Sequence, residues 1–217
     1  MRAWSIAGAT ILLSLLAAIV ILSVDRGLFE RSAPPPPVPS VRAAPKVATD
    51  PDRILMSDDG STARLPRAES GIAIRSLLKA PAAMRYGDSL WNDRDVAPGK
   101  IWVRIDLRTQ LLSVFRGGDE IGTAIVLYGA DAKETPTGTF PILWKGRNHR
   151  SSLYDAPMPY TLRLTGDGVS IHGSNVRWGA ATHGCIGVPE GFASRLFDVV
   201  DIGDTVVIVR SAAPSRT

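Results

Sequence analysis

Three side chains in the C-terminal half can do covalent chemistry together: His172, His183 and Cys185, carried by Ser170-Ile-His-Gly-Ser174 and Thr182-His-Gly-Cys-Ile-Gly187. Cys185 is the single cysteine among 217 residues, so it has no intramolecular disulfide partner and belongs to no site built from several thiolates. A thiol beside an imidazole suits nucleophilic attack, because the ring takes the proton and stabilises the thiolate. His172 ends a short apolar run that reads as a strand, where a fixed backbone can aim it. His183 lies two residues before Cys185, and on an extended segment the two side chains point to one face. Gly184 between them lets a substrate approach the main chain, with the N–H of Cys185 placed to hold a developing oxyanion.

Two other readings of the same residues stay open on spacing alone. Cys185 can be a small buried hydrophobe, the usual fate of an isolated cysteine. Two imidazoles and a thiolate are also a plausible zinc set, although no standard zinc spacing is present and no metal or other cofactor is assigned. His149, in the polar stretch Lys145-Gly-Arg-Asn-His-Arg150, reads as a solvated loop histidine without a catalytic role.

The elements that must position these groups are mostly strands. In Ile101-Trp-Val-Arg-Ile-Asp-Leu107, apolar residues alternate with Trp102, Arg104 and Asp106, the pattern of a strand with one buried face. Leu111–Phe115 follows, and Gly117-Gly118-Asp119 turns the chain into Ile121–Tyr128, which gives two successive hairpins. Further runs at Thr139–Trp144, Thr161–Leu164, Val169–His172 and Thr205–Val209 complete a mostly β domain over 99–211. Only Pro189–Val200 reads as a helix. Pro189 suits its first turn, Glu190 suits its dipole, and Phe192, Leu196, Phe197 and Val200 share an apolar side.

Upstream the chain changes character twice. Ala3–Val24 is a run of 22 residues without a charge. As a helix rising about 1.5 Å per residue it reaches roughly 33 Å, enough to cross a hydrocarbon core of about 30 Å. The run is longer than an ordinary signal core, and Asp25 and Arg26 follow it where a cleavage pattern would stand, so residues 1–25 read as an uncleaved membrane anchor in preference to a removed signal. Residues 26–70, with Pro34 to Pro37 in a row, read as a disordered Pro-rich tether, the alternative for the proline run being a polyproline ligand. Residues 71–98 are an extension of uncertain structure, in which Ile72, Ile74, Leu77 and Leu78 hint at an amphipathic segment and Tyr86 and Trp91 can dock onto a domain.

Charge excludes one class of partner. Residues 1–98 carry 12 Lys plus Arg against 10 Asp plus Glu, and residues 99–217 carry 13 against 11. Neither half is a basic module, so nucleic acid is not expected as a ligand.

His172-Gly173 followed by Thr182-His183-Gly184-Cys185-Ile186 resembles the signature of the L,D-transpeptidases, the YkuD-type catalytic domain. The likeness continues in Ile105–Leu112, similar to the family's opening hairpin, in Thr135-Pro-Thr-Gly-Thr-Phe140, in Met158-Pro-Tyr160, in Pro189–Phe197 and in Gly203–Ile208. It runs from about Lys100 to Val209. The resemblance implies a β-sandwich-like catalytic fold with one capping helix, acting on peptidoglycan stem peptides on the outer, periplasmic side of the cytoplasmic membrane.

By the same resemblance, Cys185 attacks the amide between the L-centre and the terminal D-residue of a tetrapeptide stem. His172 is the base and the Gly173 carbonyl orients it. Thr182, His183, Gly184 and Tyr160 line the acyl and oxyanion pocket, and carbapenems are covalent inhibitors. The chain departs from the family in two ways: Gly187 stands where Arg or Asn is common, and the stretch from His172 to Thr182, containing Asn175, Arg177 and Trp178, is short. Thr135–Gly138 reads as a structural turn rather than a substrate ligand. Three functions fit: a transpeptidase with an amine acceptor, a carboxypeptidase resolved by water, and a catalytically silent envelope protein that binds peptidoglycan.

Overall fold

The structure, a computed structural model, describes residues 50–56, 71, 73–129, 133–152 and 155–213. The anchor read over residues 1–25 lies outside the described residues. Among those described, no helix is long and apolar enough to cross a membrane.

In chain order the elements are β1 (Arg53–Leu55), β2 (Ser76–Leu78), β3 (Ser89–Trp91), β4 (Ile101–Asp106), β5 (Leu111–Arg116), β6 (Asp119–Ile125), β7 (Gly138–Pro141), β8 (Trp144–Arg150), β9 (Pro157–Arg163), β10 (Ser170–Ser174), β11 (Ile186–Pro189), α1 (Glu190–Val199) and β12 (Thr205–Val209). The larger sheet runs β1-β2-β6-β5-β4-β12-β7, with β3 also on β6, and the smaller runs β11-β10-β9-β8. The two expected hairpins form, with β4, β5 and β6 antiparallel in turn and a bulge between Val114 and Phe115. The chain closes by laying β12 parallel to β4, Val206 beside Val103 and Ile208 beside Ile105.

Alternation explains how the sheets pack. Ile101, Val103 and Ile105 of β4 join Leu112, Val114, Val206 and Ile208 in one apolar cluster with Leu162 and Ile171 of the smaller sheet and with Phe192, Ala193 and Leu196 of α1. This is the expected sandwich with a single helix against it. Pro189 sits at the helix N-cap position and Glu190 in the first turn, as the sequence pattern requires.

The larger sheet differs from the expectation of one buried face. Trp102, on the opposite side of β4, is 1% exposed. It stacks on Phe115 at 4.2 Å and donates its indole N–H to the Gly117 carbonyl at 2.8 Å. Ile74 and Leu77, ahead of and within β2, pack against this pair. The extension therefore belongs to the folded unit, and β3 adds Trp91, whose ring meets Phe192 of α1 edge-on at 5.4 Å.

β1 falls inside the span read as tether, and a buried charge is what holds it. The Arg53 side chain is 3% exposed. Its guanidinium donates to the carbonyls of Glu120 at 2.6 Å and Asn92 at 2.5 Å. Glu120 lies on β6 and accepts the Leu78 N–H at 2.8 Å. Burial pushes its carboxyl above the usual range, partly offset by hydrogen bonds and by Arg53. Such a cluster is costly only when a member is lost, because the remaining groups are then buried without partners. Arg53→Ala should accordingly lower stability by about 2–4 kcal/mol in urea unfolding. A fragment beginning at Gly71 should show the same deficit against one beginning at Asp50, and equal midpoints for the two fragments would refute the assignment of β1 to the domain.

Candidate active site

Cys185 is placed by strand register. β10 and β11 are parallel, with Ile171 beside Ile186 and His172 beside Gly187. Cys185, immediately before β11, is thereby set next to Ser170 and near the residue that ends the apolar run. The connection between the two strands, residues 175–185, is pinned to the segment after β6. Leu127 and Gly187 exchange two backbone hydrogen bonds, both 2.9 Å, and the Thr182 N–H donates to the Tyr128 carbonyl at 3.2 Å. The Thr182 hydroxyl donates to the Cys185 carbonyl at 2.5 Å, closing the loop on itself.

Thr135 completes the clamp. It is 3% exposed, its Oγ1 accepts the Gly129 N–H at 2.9 Å, and it donates to the Gly184 carbonyl at 3.0 Å. Gly129 and Gly184 nearly touch, since a Cβ on Gly129 would lie 2.5 Å from the Gly184 Cα and N. Thr135 is thus structural, as the turn reading holds, and its position is specific to the cysteine loop. Gly184 has φ +98°, so residues 183–185 form a bend and not the extended segment expected from spacing. The alternation argument for His183 and Cys185 fails for that reason, although both side chains still line the same cavity.

His172 is half-buried, and its Nδ1 lies 2.9 Å from the Gly173 carbonyl. A carbonyl only accepts, so this contact fixes the proton on Nδ1 and leaves Nε2 as the basic nitrogen of the neutral ring. Burial holds the imidazole below the ordinary histidine value; the Gly173 carbonyl works against this and the charge of His149 adds to it. Burial also pushes the Cys185 thiol up, offset in part by a backbone hydrogen bond from Ser170 and by Lys133, while the Asp167 carboxylate adds to the rise. The sulfur lies 3.8 Å from the Gly168 carbonyl. Both shifts favour the uncharged forms.

Cys185, His172, Thr182 and His183 line a cavity of about 720 Å³, together with Ser170, Met158, Lys133, Asp167 and His149. Gly173 lines a second groove of about 530 Å³ on the other side of β10, and His149, Pro157 and Ser174 border both. Tyr160 is not among the cavity residues. At φ +57° it turns out of the strand's alternation, packs edge-on against Phe197 of α1 at 5.9 Å and lies under the Arg147 guanidinium. His149, read as a loop residue, sits in β8, half-buried and edge-on to Trp144 at 5.3 Å. No three His, Cys, Asp or Glu side chains among the described residues converge as a metal site.

A family model for the L,D-transpeptidase catalytic domain, YkuD, matches residues 100–208. The chain belongs to this family. No curated protein matches it. Among solved structures, an L,D-transpeptidase from Mycobacterium smegmatis shares 21% identity with a TM-score of 0.47, covering 50% of this chain and 58% of that one. One from Stackebrandtia nassauensis shares 27% identity, TM-score 0.47, over 54% of this chain and 58% of that one. One from Enterococcus faecium shares 22%, TM-score 0.46, over 51% and 50%. The chain thus spans less than two thirds of each of these proteins.

Within this L,D-transpeptidase domain, the departure at Gly187 has a local cause. A Cβ there would meet the Ser174 Cβ at 2.9 Å and its Oγ at 3.2 Å. Ser174, on β10, occupies the space in which a longer side chain at 187 would begin.

The electrostatics of the pair fix a pH dependence. If His172 serves as the base it does so only when neutral, so activity is then expected above its lowered pKa and lost as pH falls through that value. In His149→Gln the repelling charge is gone, and the acid limb of kcat/KM should move upward toward the ordinary histidine value. An acid limb unchanged between the two proteins would show that His149 does not act on His172.

Proposed function

We propose that the chain is a membrane-tethered L,D-transpeptidase acting on peptidoglycan stem peptides outside the cytoplasmic membrane. The observation that carries this reading is the placement of the Cys185 thiol and the His172 imidazole on one cavity, the ring held through Nδ1 by the Gly173 carbonyl at 2.9 Å. The uncharged run Ala3–Val24 supports the tether, and the outer side of the membrane follows from the peptidoglycan substrate that the family resemblance implies.

With the resting pair uncharged, His172 Nε2 takes the thiol proton as the sulfur attacks the carbonyl of the L-centre of a tetrapeptide stem. The developing oxyanion faces the backbone N–H groups of Gly184 and Cys185, which the Thr135 clamp holds in place. The tetrahedral intermediate collapses with loss of the terminal D-residue, whose nitrogen receives the proton from His172. The result is a thioester on Cys185. An amine from a second stem then gives its proton to His172, attacks the thioester and releases the thiol. The groove on the far side of β10 meets the catalytic cavity at His149, Pro157 and Ser174. That opening favours a peptide acceptor over water alone.

The test is intact mass and product analysis of the full chain in detergent, as wild type, Cys185→Ala and His172→Gln, incubated with disaccharide-tetrapeptide and separately with a carbapenem. Wild type is expected to form cross-linked dimers and a drug adduct, Cys185→Ala neither, and His172→Gln to lose about 10²–10⁴ in kcat. An adduct with tripeptide as the sole product would make the protein a carboxypeptidase. Absence of both adduct and product would leave a binding protein.

A further inference from the structure

One charged pair in the cavity has no part in the steps above. Lys133 precedes the Thr135 clamp, and Asp167 sits in the turn between β9 and β10. Their charged ends meet at 3.0 Å. The second carboxylate oxygen of Asp167 accepts the Thr165 hydroxyl at 2.5 Å. The Lys133 stem runs along Gly184, since a Cβ built there would lie 3.1 to 3.4 Å from three of its methylene carbons. On the opposite side, Gly168, the residue after Asp167, presents the carbonyl that lies 3.8 Å from the Cys185 sulfur. The ammonium therefore shares the cavity with Cys185, close enough that its charge favours the thiolate. Arg163 also lines the cavity, but its guanidinium lies over the Trp144 ring at 5.9 Å.

The Lys133–Asp167 pair is easily exchanged. Its side chains are 41% and 64% exposed. Ion pairs this open to water contribute little to stability, so a well-placed competing carboxylate displaces Asp167 at small cost. The proposed substrate brings such a group. The D-residue beyond the scissile bond ends in a free α-carboxylate, three bonds and less than about 4 Å from the carbonyl carbon under attack. When that carbon is bonded to the Cys185 sulfur, the carboxylate falls within reach of the ammonium.

We propose that Lys133 is a specificity-determining residue that binds the α-carboxylate of the departing D-residue, exchanging Asp167 for it. The cavity then selects stems with one residue beyond the scissile bond, because a longer stem has an uncharged amide at that point. This assignment rests on the transpeptidase reading of Cys185, and two independent readouts separate them.

The first is the ratio of kcat/KM for a tetrapeptide donor with a free terminal carboxylate to that for the same donor ending in a carboxamide, measured on the full chain in detergent. Wild type is expected to favour the carboxylate about tenfold. Lys133→Gln should bring the ratio near one, chiefly through KM, Lys133→Arg should keep it, and Asp167→Asn should raise it. The second is the rate of Cys185 alkylation by iodoacetate divided by that by iodoacetamide, which needs no turnover. It should fall about fivefold in Lys133→Gln. Equal losses on both donors, or an unchanged alkylation ratio, would mean that Lys133 only packs on Gly184 and would overturn the proposal. A fallen alkylation ratio in a chain that turns over neither donor would support the carboxylate site and remove the transpeptidase reading instead.

Discussion

The parallel pairing of β10 with β11 is the constraint on which the rest of the site depends. Two antiparallel strands could be joined by a tight turn, but a parallel pair needs a long return connection. Here that return is residues 175–185, and Cys185 is its last residue. The end of such a connection would be free to shift unless it were held. It is held by Leu127 on Gly187, Tyr128 on Thr182 and Thr135 on Gly184, three contacts from one stretch of chain that leaves the larger sheet after β6. The larger sheet thus fixes the cysteine, while the smaller sheet fixes the histidine. Catalytic geometry becomes a property of how the two sheets pack, which is why the close approach of Gly129 to Gly184 admits no side chain.

The same packing sets the charge state. Partial burial raises the thiol and lowers the imidazole, so the site favours the uncharged form of each group. A preformed thiolate would be the stronger nucleophile toward any passing electrophile. On the proposed mechanism, a neutral pair would become reactive only as a bound carbonyl accepts the sulfur's electrons while His172 takes the proton, which would couple ionisation to occupancy of the cavity. Gly173 makes this possible without a third side chain, because its carbonyl fixes the tautomer and cannot itself be protonated or lost by substitution.

What could be read from the sequence follows from what leaves a local pattern. β4 and β5 alternate in sequence and α1 has an apolar side, while β6 and β12 are short runs rich in β-branched residues between turn signals, so each leaves a local pattern even though β4 and β6 are buried on both faces. Cys185, His172 and the Gly173 carbonyl are close in sequence to the strands that carry them. β1, β2 and β3 are three residues each, too short for a period, and β1 is fixed by the buried Arg53, a residue type that reads as solvated. β8 was illegible for a different reason: Trp144–Arg150 borders open grooves instead of a core, so its strand is polar and His149 resembles a loop residue. Tyr160, placed in the pocket by resemblance alone, has a left-handed backbone angle that no residue pattern announces and packs on Phe197. Lys133 and Asp167 come from loops distant in sequence, and only the fold brings them together.

The N-terminal extension reaches the site as well as the far face of the sheet. Tyr86 donates its hydroxyl to Gln110 Oε1 at 2.6 Å, which ties it to the β4–β5 turn. Its ring meets Trp178 edge-on at 5.5 Å, and Trp178 lies in the return connection that ends at Cys185. Trp178 is otherwise 82% exposed, so this aromatic contact is its main hold on the domain. The chain segment nearest the apolar N-terminal run is thus continuous, through Arg53 and Tyr86, with the loop that carries the nucleophile. The stretch 100–208 alone, without the segment ahead of it, would leave Trp102 and Phe115 without Ile74 and Leu77 on one side and Trp178 without Tyr86 on the other. The working unit is therefore larger than the stretch that matches the family.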